Sequence, residues 1–101
     1  MDNGYRAHIE ALVKNPSTSP EILRAIYEDP QTLRYITYFI AQNPNTPEEI
    51  LRELASKPRS EQNGYIIGLA RNPNLPLDLV EKLKSDSSEQ VREAVNEVHG
   101  G

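Results

Sequence analysis

The sequence predicts an all-α protein, a short α-solenoid of about three and a half helical-hairpin repeats forming one domain over residues 1–101. An Asn-Pro pair recurs at Asn15, Asn43 and Asn72, which gives a period of 28–29 residues. All 8 prolines occupy three positions of this period. The apolar residues between the pairs step by three and four residues, as one face of a helix requires.

The first helix of each repeat ends at the Asn of the Asn-Pro pair. A residue before proline is pushed out of the helical region of backbone space, so the helix must stop there. The short Asn amide can then bond backbone groups that the helix end exposes. Ile36 and Ile40 show the apolar step of four residues on one of these helices. The predicted first helices span residues 5–14, 31–42, 61–71 and 88–98.

The second helix of each repeat follows a short turn after the proline. In the second repeat, we expect the Thr46 hydroxyl to cap the helix and Pro47 to be its first residue. Glu49 then lies in the first turn, where an acid is favourable. The third repeat has Leu75 where the hydroxyl would stand, so we expect a looser helix start there or a cap by Asn74. The predicted second helices span residues 19–28, 47–57 and 76–85.

Residues 40–55 carry the pattern aliphatic-Ala-x-Asn-Pro-Asn-Thr-Pro-x-x-aliphatic-Leu-x-x-Leu-Ala. This pattern resembles the leucine-rich repeat variant family, and the resemblance covers about residues 7–98. It implies a right-handed superhelix of alternating helices, related to armadillo and HEAT solenoids. The period is longer than is usual in the family, which indicates fuller helix pairs. The cysteine-rich iron–sulfur segment of the family's founding member is missing, so the resemblance implies no cofactor.

Composition and charge disfavour several classes of function. The chain has 11 basic and 15 acidic residues, a net charge of −4, which is unlike a nucleic-acid binder or a basic membrane-surface helix. The absence of cysteine removes disulfides and thiol chemistry. No apolar run approaches the length of about 20 residues that a membrane span needs. We therefore expect a cytoplasmic protein that binds neither nucleic acid nor membranes.

The residues that often carry catalysis have a simpler structural interpretation here. His8 and His99 are the two histidines and lie at opposite ends of the chain, whereas a metal site needs several converging ligands. Glu48 and Glu49 form an acidic pair, but they fall in the first turn of a predicted helix, where the helix dipole favours acids. We therefore expect no enzyme activity and no metal or cofactor site.

An aromatic cluster on the predicted helix 31–42 is the strongest candidate for an interaction surface. Tyr35, Tyr38 and Phe39 lie close together there, beside Arg34. Tyrosine together with arginine is typical of interface hot spots. The alternative is that the rings pack over the grooves between repeats and leave only their hydroxyls in water.

Arg24 and Arg52 occupy the same position in successive repeats, and the third repeat has Glu81 there. Stacked repeats would place these side chains on one ridge that could contact an acidic partner, and an ordinary solvated face is the alternative. Gly68 lies inside the predicted helix 61–71. Its small size predicts close approach of another helix, either around Phe39 or the same part of a partner chain.

Taken together, these patterns predict a non-enzymatic protein–protein interaction or self-assembly module. Helices of about ten residues are marginal alone, so the repeats must stack, and the end repeats then leave apolar surface uncovered. Such surface favours a protein partner or a second copy, so we expect a homo-oligomer. The alternative is an accessory subunit or enzyme whose ligand site forms only at an oligomer interface. A piece of a longer solenoid is a third possibility.

Overall fold

A computed structural model describes residues 2–100 of the chain, with side chains from residue 4 onward. Within this range it shows helices and no strand, so the prediction of an all-α fold is confirmed. The helices are α1 (Asp2–Lys14), α2 (Pro20–Glu28), α3 (Arg34–Gln42), α4 (Glu48–Ser56), α5 (Arg59–Gln62), α6 (Ile66–Ala70), α7 (Leu77–Lys84) and α8 (Glu89–His99). The predicted second helices correspond to α2, α4 and α7 to within one residue at each end.

The predicted helix over residues 61–71 is wrong, because the structure has the two short helices α5 and α6 in its place. Residues 63–65 interrupt the helix, and Gly64 in this segment is a poor helix former. Tyr65 has an extended φ of −143° and is buried, and its hydroxyl donates to the carbonyl of Leu54 at 3.1 Å. This hydrogen bond joins the interrupted segment to α4.

The first helices of the repeats, α1, α3, α6 and α8, pack side by side. α1 contacts α3, α3 contacts α6, and α6 contacts α8. Of the second helices, α2 contacts α1 and α3, α4 contacts α6, and α7 contacts α8. One apolar core runs between them, and its most deeply buried large side chains are Val13, Leu23, Ile40, Leu51, Leu69, Val91 and Val95.

Asparagine side chains join successive repeats. The Asn43 Nδ2 donates to the carbonyls of Val13 at 2.8 Å and Asn15 at 3.0 Å, at the C-terminal end of α1. The Asn72 Nδ2 donates in the same way to the carbonyls of Ala41 at 2.8 Å and Asn43 at 2.9 Å, at the end of α3. Because the last carbonyls of a helix lack an intrahelical partner, these buried amides satisfy them and set how neighbouring helix ends meet.

The threonines before the second helices bond back to the first helices. The Thr18 hydroxyl donates to the carbonyl of Leu12 and the Thr46 hydroxyl to that of Ile40, both at 2.6 Å. The prediction that Thr46 caps the second helix is therefore wrong, and Pro47 precedes α4 without a side-chain cap. The carbonyls of Leu12 and Ile40 lie next to the core and need a hydrogen-bond donor from the protein. The first turn of α4 is exposed, so its backbone amides can bind water instead.

Asn74 does not cap α7 either. Its Nδ2 donates to the carbonyl of Pro44 at 2.7 Å, and α7 begins after Pro76 without a side-chain cap. Leu75, which replaces the threonine of the other repeats, is buried at 5% exposure. In the third repeat, burial of the Leu75 side chain thus takes the place of the threonine hydrogen bond.

Gly68 lies where α6 meets α3, and the predicted close approach of helices is confirmed. A Cβ atom there would lie 2.6 Å from the carbonyl oxygen of Tyr38 and 3.3 Å from the Cβ of Ala41. The contact is thus to the Tyr38 backbone and Ala41 rather than to the ring of Phe39. A backbone oxygen cannot rotate away, so a larger residue must push the two helices apart.

Replacing Gly68 by alanine is expected to lower the free energy of unfolding by about 1–3 kcal/mol, the usual cost of overpacking a core. Gly64→Ala is the matched control, since its Cβ would meet only the flexible Arg34 side chain at 3.0 Å. That control is expected to change the free energy by less than about 0.5 kcal/mol. Urea denaturation of both variants tests this, and equal midpoints would contradict the close approach.

Candidate interaction surface

The predicted aromatic cluster divides into two parts in the structure. Tyr38 and Phe39 are half-buried against the core, with ring centroids 5.4 Å apart and ring planes at 84°. Lys14 Nζ lies 4.7 Å from the centroid of the Phe39 ring in a cation–π contact. Tyr35 is 41% exposed. Packing over the core therefore describes Tyr38 and Phe39, whereas Tyr35 lies at the surface.

A hydrogen bond to α1 orients Tyr35. Its hydroxyl donates to Glu10 Oε2 at 2.9 Å, and Lys14 Nζ lies 3.3 Å from Glu10 Oε1. The hydrogen bond from Tyr35 is the main cause of a lowered pKa at the Glu10 carboxyl, and the hydrogen bond from Lys14 is the second cause. The same bond to Glu10 raises the pKa of the Tyr35 hydroxyl. The Tyr35 ring is thus held in one place as a neutral phenol, with one edge in water.

A groove of about 450 Å³ lies beside Tyr35, between α1, α2 and α3. We call it the aromatic groove. Tyr5, Leu33 and Tyr35 are three of its lining residues, and they are 63%, 42% and 41% exposed. The apolar side chains at its base are Ile9, Ile26 and Ile36, and its polar lining residues include Arg6, Asp29 and Gln31. The exposure of these three side chains on one surface makes the aromatic groove the candidate interaction surface.

A turn between α2 and α3 contributes one wall of the aromatic groove. α3 begins at Arg34 rather than at residue 31, because the preceding residues form this turn. The Gln31 amide donates to Asp29 Oδ1 at 2.9 Å, and the Thr32 hydroxyl donates to the carbonyl of Ile26. These bonds place Leu33 in an extended conformation before the helix, with its side chain 42% exposed.

Of the three exposed large side chains of the aromatic groove, Tyr5 and Leu33 were not among the predicted interaction residues. They occupy the same repeat position, and the third repeat has Gln62 there. The Gln62 amide is buried and donates to the carbonyls of Leu54 at 3.0 Å and Ala55 at 2.9 Å. The signal that could have identified Tyr5 and Leu33 is a large side chain at a position where another repeat has a polar residue.

The predicted basic ridge forms ion pairs between successive second helices. Arg24 on α2 pairs with Glu49 on α4. Arg52 on α4 lies 2.8 Å from Asp78 on α7 and 2.8 Å from Glu48 on its own helix. The Arg52 bond is the main cause of a lowered pKa at the Asp78 carboxyl. These two arginines thus lie in contact with carboxylates of this chain.

Arg34, the remaining predicted residue, is exposed, and its aliphatic stem lies beside Gly64. In the part of the chain that the structure describes, no group of three or more His, Cys, Asp or Glu side chains is placed to hold a metal ion. Between residues 2 and 100 no helix combines the length and apolarity needed to cross a membrane. The chain matches no family model, no curated protein and no solved structure.

Proposed function

We propose that this protein is a non-enzymatic self-assembly module, built as a short right-handed α-solenoid, in which the aromatic groove binds the same groove of a second copy. The observation that carries the proposal is the exposure of Tyr5, Leu33 and Tyr35 on one surface. A partner that covers these side chains would gain about 25 cal/mol for each Å² of apolar area it removes from water.

The repeated contacts support the solenoid part of this proposal. Each first helix packs on the next one, and equivalent asparagine bonds recur between α1 and α3 and between α3 and α6. The ion pairs of Arg24 and Arg52 recur in the same way between second helices. A stack in which each repeat contacts its neighbours is the defining feature of helical-repeat proteins.

The shape of the groove supports a second copy as its occupant. The projecting Tyr5 ring and the recess over Ile9 and Ile36 belong to the same surface. In a two-fold dimer the same patch faces itself, so the ring of each copy can enter the recess of the other. Tyr35 is already oriented by Glu10, which limits the rotamer entropy that binding costs.

Removing side chains from the aromatic groove is expected to weaken the dimer without unfolding the chain. Leu33→Ser and Tyr35→Ala should each raise the dissociation constant by roughly tenfold or more, the effect of a hot-spot residue. Sedimentation equilibrium over a wide concentration range measures this constant, and far-ultraviolet circular dichroism checks that the helical signal is retained.

Leu77→Ser is the matched control, because Leu77 is 80% exposed on α7 and does not line the aromatic groove. It should leave the dissociation constant unchanged. A protein that is monomeric at all concentrations, or a dimer that is equally insensitive to the variants Leu33→Ser and Leu77→Ser, would contradict the proposal.

The polar residues of the groove favour one second candidate, a ligand site completed at an oligomer interface. Arg6 and Asp29 line the groove together with Tyr35, and converging charges of opposite sign with a phenol can bind a small polar molecule. This candidate requires the dimer. A small-molecule screen by thermal shift should then find ligands whose effect is reduced in Leu33→Ser, which weakens the dimer.

A further inference from the structure

The turn between α5 and α6 carries the pair Asn63-Gly64, and both residues are exposed. Because Gly64 has no side chain, no Cβ hinders the approach of its backbone nitrogen to the side-chain carbonyl carbon of Asn63. The other Asn-Gly pair of the sequence, Asn3-Gly4, lies inside α1. Among the asparagines whose side chains the structure describes, Asn63 is therefore the one that precedes a glycine.

Three other asparagines precede proline and cannot react with the next backbone nitrogen. Asn15, Asn43 and Asn72 each begin an Asn-Pro pair. A proline nitrogen carries no hydrogen, so it cannot lose a proton and become a nucleophile. The repeat motif of this protein therefore protects its own asparagines.

The remaining described asparagines are held by hydrogen bonds or by a helix. The Asn45 Nδ2 donates to the carbonyl of Pro16, and the Asn74 Nδ2 donates to that of Pro44, both at 2.7 Å. Asn96 lies inside α8, where the backbone is fixed. The Asn63 side chain has no comparable bond within the part of the chain that the structure describes.

The backbone amide of Gly64 is open to reaction. Among residues 2–100 it donates to no carbonyl, whereas the amide of Tyr65 donates to the carbonyl of Gln62 at 2.9 Å. Asn63 has φ −56° and ψ −28°, and a rotation of ψ and of the side chain brings the Gly64 nitrogen to the Asn63 Cγ. The preceding helix α5 has 4 residues, so opening the turn breaks few hydrogen bonds.

We propose that Asn63 is a site of spontaneous modification at which water is the co-reactant. The Gly64 nitrogen loses its proton to hydroxide and bonds to the Asn63 Cγ, and the amide group takes a proton from water and leaves as ammonia. The product of this step is a cyclic succinimide. Water then opens the ring at either carbonyl, which gives aspartate or isoaspartate. In both products a carboxylate replaces a neutral amide.

The modification changes charge and chain length at a contact between helices. The aliphatic stem of Arg34 on α3 lies beside Gly64, so the new carboxylate is close to a basic residue. Isoaspartate also lengthens the main chain by one atom, shortly before the buried Tyr65 and its bond to the carbonyl of Leu54. Aspartate leaves the path of the main chain unchanged.

The test incubates the folded full chain in mildly alkaline buffer and maps the products by mass spectrometry of proteolytic peptides. The peptide that contains Asn63 should gain the mass difference between OH and NH₂, faster at higher pH because the Gly64 amide must lose its proton. Gly64→Ala, which is expected to fold normally, should slow the reaction by roughly tenfold or more, because the added Cβ hinders the attack. Equal rates in both chains, or equal rates at Asn45 and Asn63, overturn the proposal.

A comparison with the chain unfolded in urea decides whether the native turn itself reacts. The rate at Asn63 in the folded chain is expected to lie within roughly a hundredfold of the rate in urea, because opening one short turn requires little free energy. A reaction that needed global unfolding would be slower than in urea by more than about a thousandfold, since so little of a folded domain is unfolded at any time. A ratio of that size overturns the proposal.

Discussion

Replacing Leu51 by alanine is expected to lower the free energy of unfolding by about 2–5 kcal/mol, the range measured for buried leucines. The Leu51 side chain is 1% exposed and belongs to the core between α4 and its neighbours. The deletion leaves a cavity that the packed helices cannot close. Since a domain of this size has a total stability of about 5–15 kcal/mol, the loss is a large part of it. Leu54→Ala, at 2% exposure, should act similarly.

Leu77→Ala is the matched control for both variants, because the Leu77 side chain is 80% exposed on the first turn of α7. It should change the free energy of unfolding by no more than about 0.5 kcal/mol. Urea denaturation followed by circular dichroism gives the midpoints of all three variants. If Leu51→Ala and Leu77→Ala unfolded at the same urea concentration, the assignment of Leu51 to the core would be wrong.

Replacing Asn72 by alanine is expected to cost about 2–4 kcal/mol. The side chain is fully buried and its amide donates to the carbonyls of Ala41 and Asn43, while its Oδ1 accepts the amide of Asn74. Leaving a buried polar group without a partner costs about 1–3 kcal/mol, and the variant removes bonds from several such groups at once. Asn43→Ala removes the equivalent bonds of the second repeat, so it should be destabilising as well.

Asn15→Ala is the control that removes the local turn bond of an Asn-Pro pair but none of the side-chain hydrogen bonds between repeats. Asn15 has the same place in its Asn-Pro pair, but among the described residues its side chain has only the bond from the Ser17 amide. Its replacement should cost less than about 1 kcal/mol, since it removes one exposed hydrogen bond. Thermal melts of the three alanine variants should therefore rank Asn15 as the mildest. A variant Asn72→Ala as stable as Asn15→Ala would show that the buried amide bonds do not stabilise the fold.

The helices of this protein were predictable where local signals agreed with each other. α2, α4 and α7 follow from a proline at or just before the first residue, an acid in the first turn and an apolar stripe. The break between α5 and α6 was not predictable in this way, because the apolar stripe continues through it. Gly64 is a local signal for the break, but the bond from Tyr65 to Leu54 joins two helices, and no local pattern contains that bond.

The candidate site was predictable only in part. Tyr35 was expected at the surface or over the core, and its contact with Glu10 on α1 decides its orientation. Tyr5 and Leu33 join it because the turn before α3 lies against α1. Arg24 was expected on an exposed ridge, and it instead contacts Glu49 of the next repeat. Each of these outcomes depends on a pair of residues from different repeats.

The all-α class, the period and the ends of most helices could be predicted from the sequence, because proline, asparagine and the apolar step act within a few residues of the chain. The tertiary structure alone decided where Thr46 donates, which carbonyls Asn43 and Asn72 satisfy, and how closely Gly68 approaches α3. The physical reason is that a buried polar group takes whichever partner packing brings within reach, and packing brings together residues about one repeat apart.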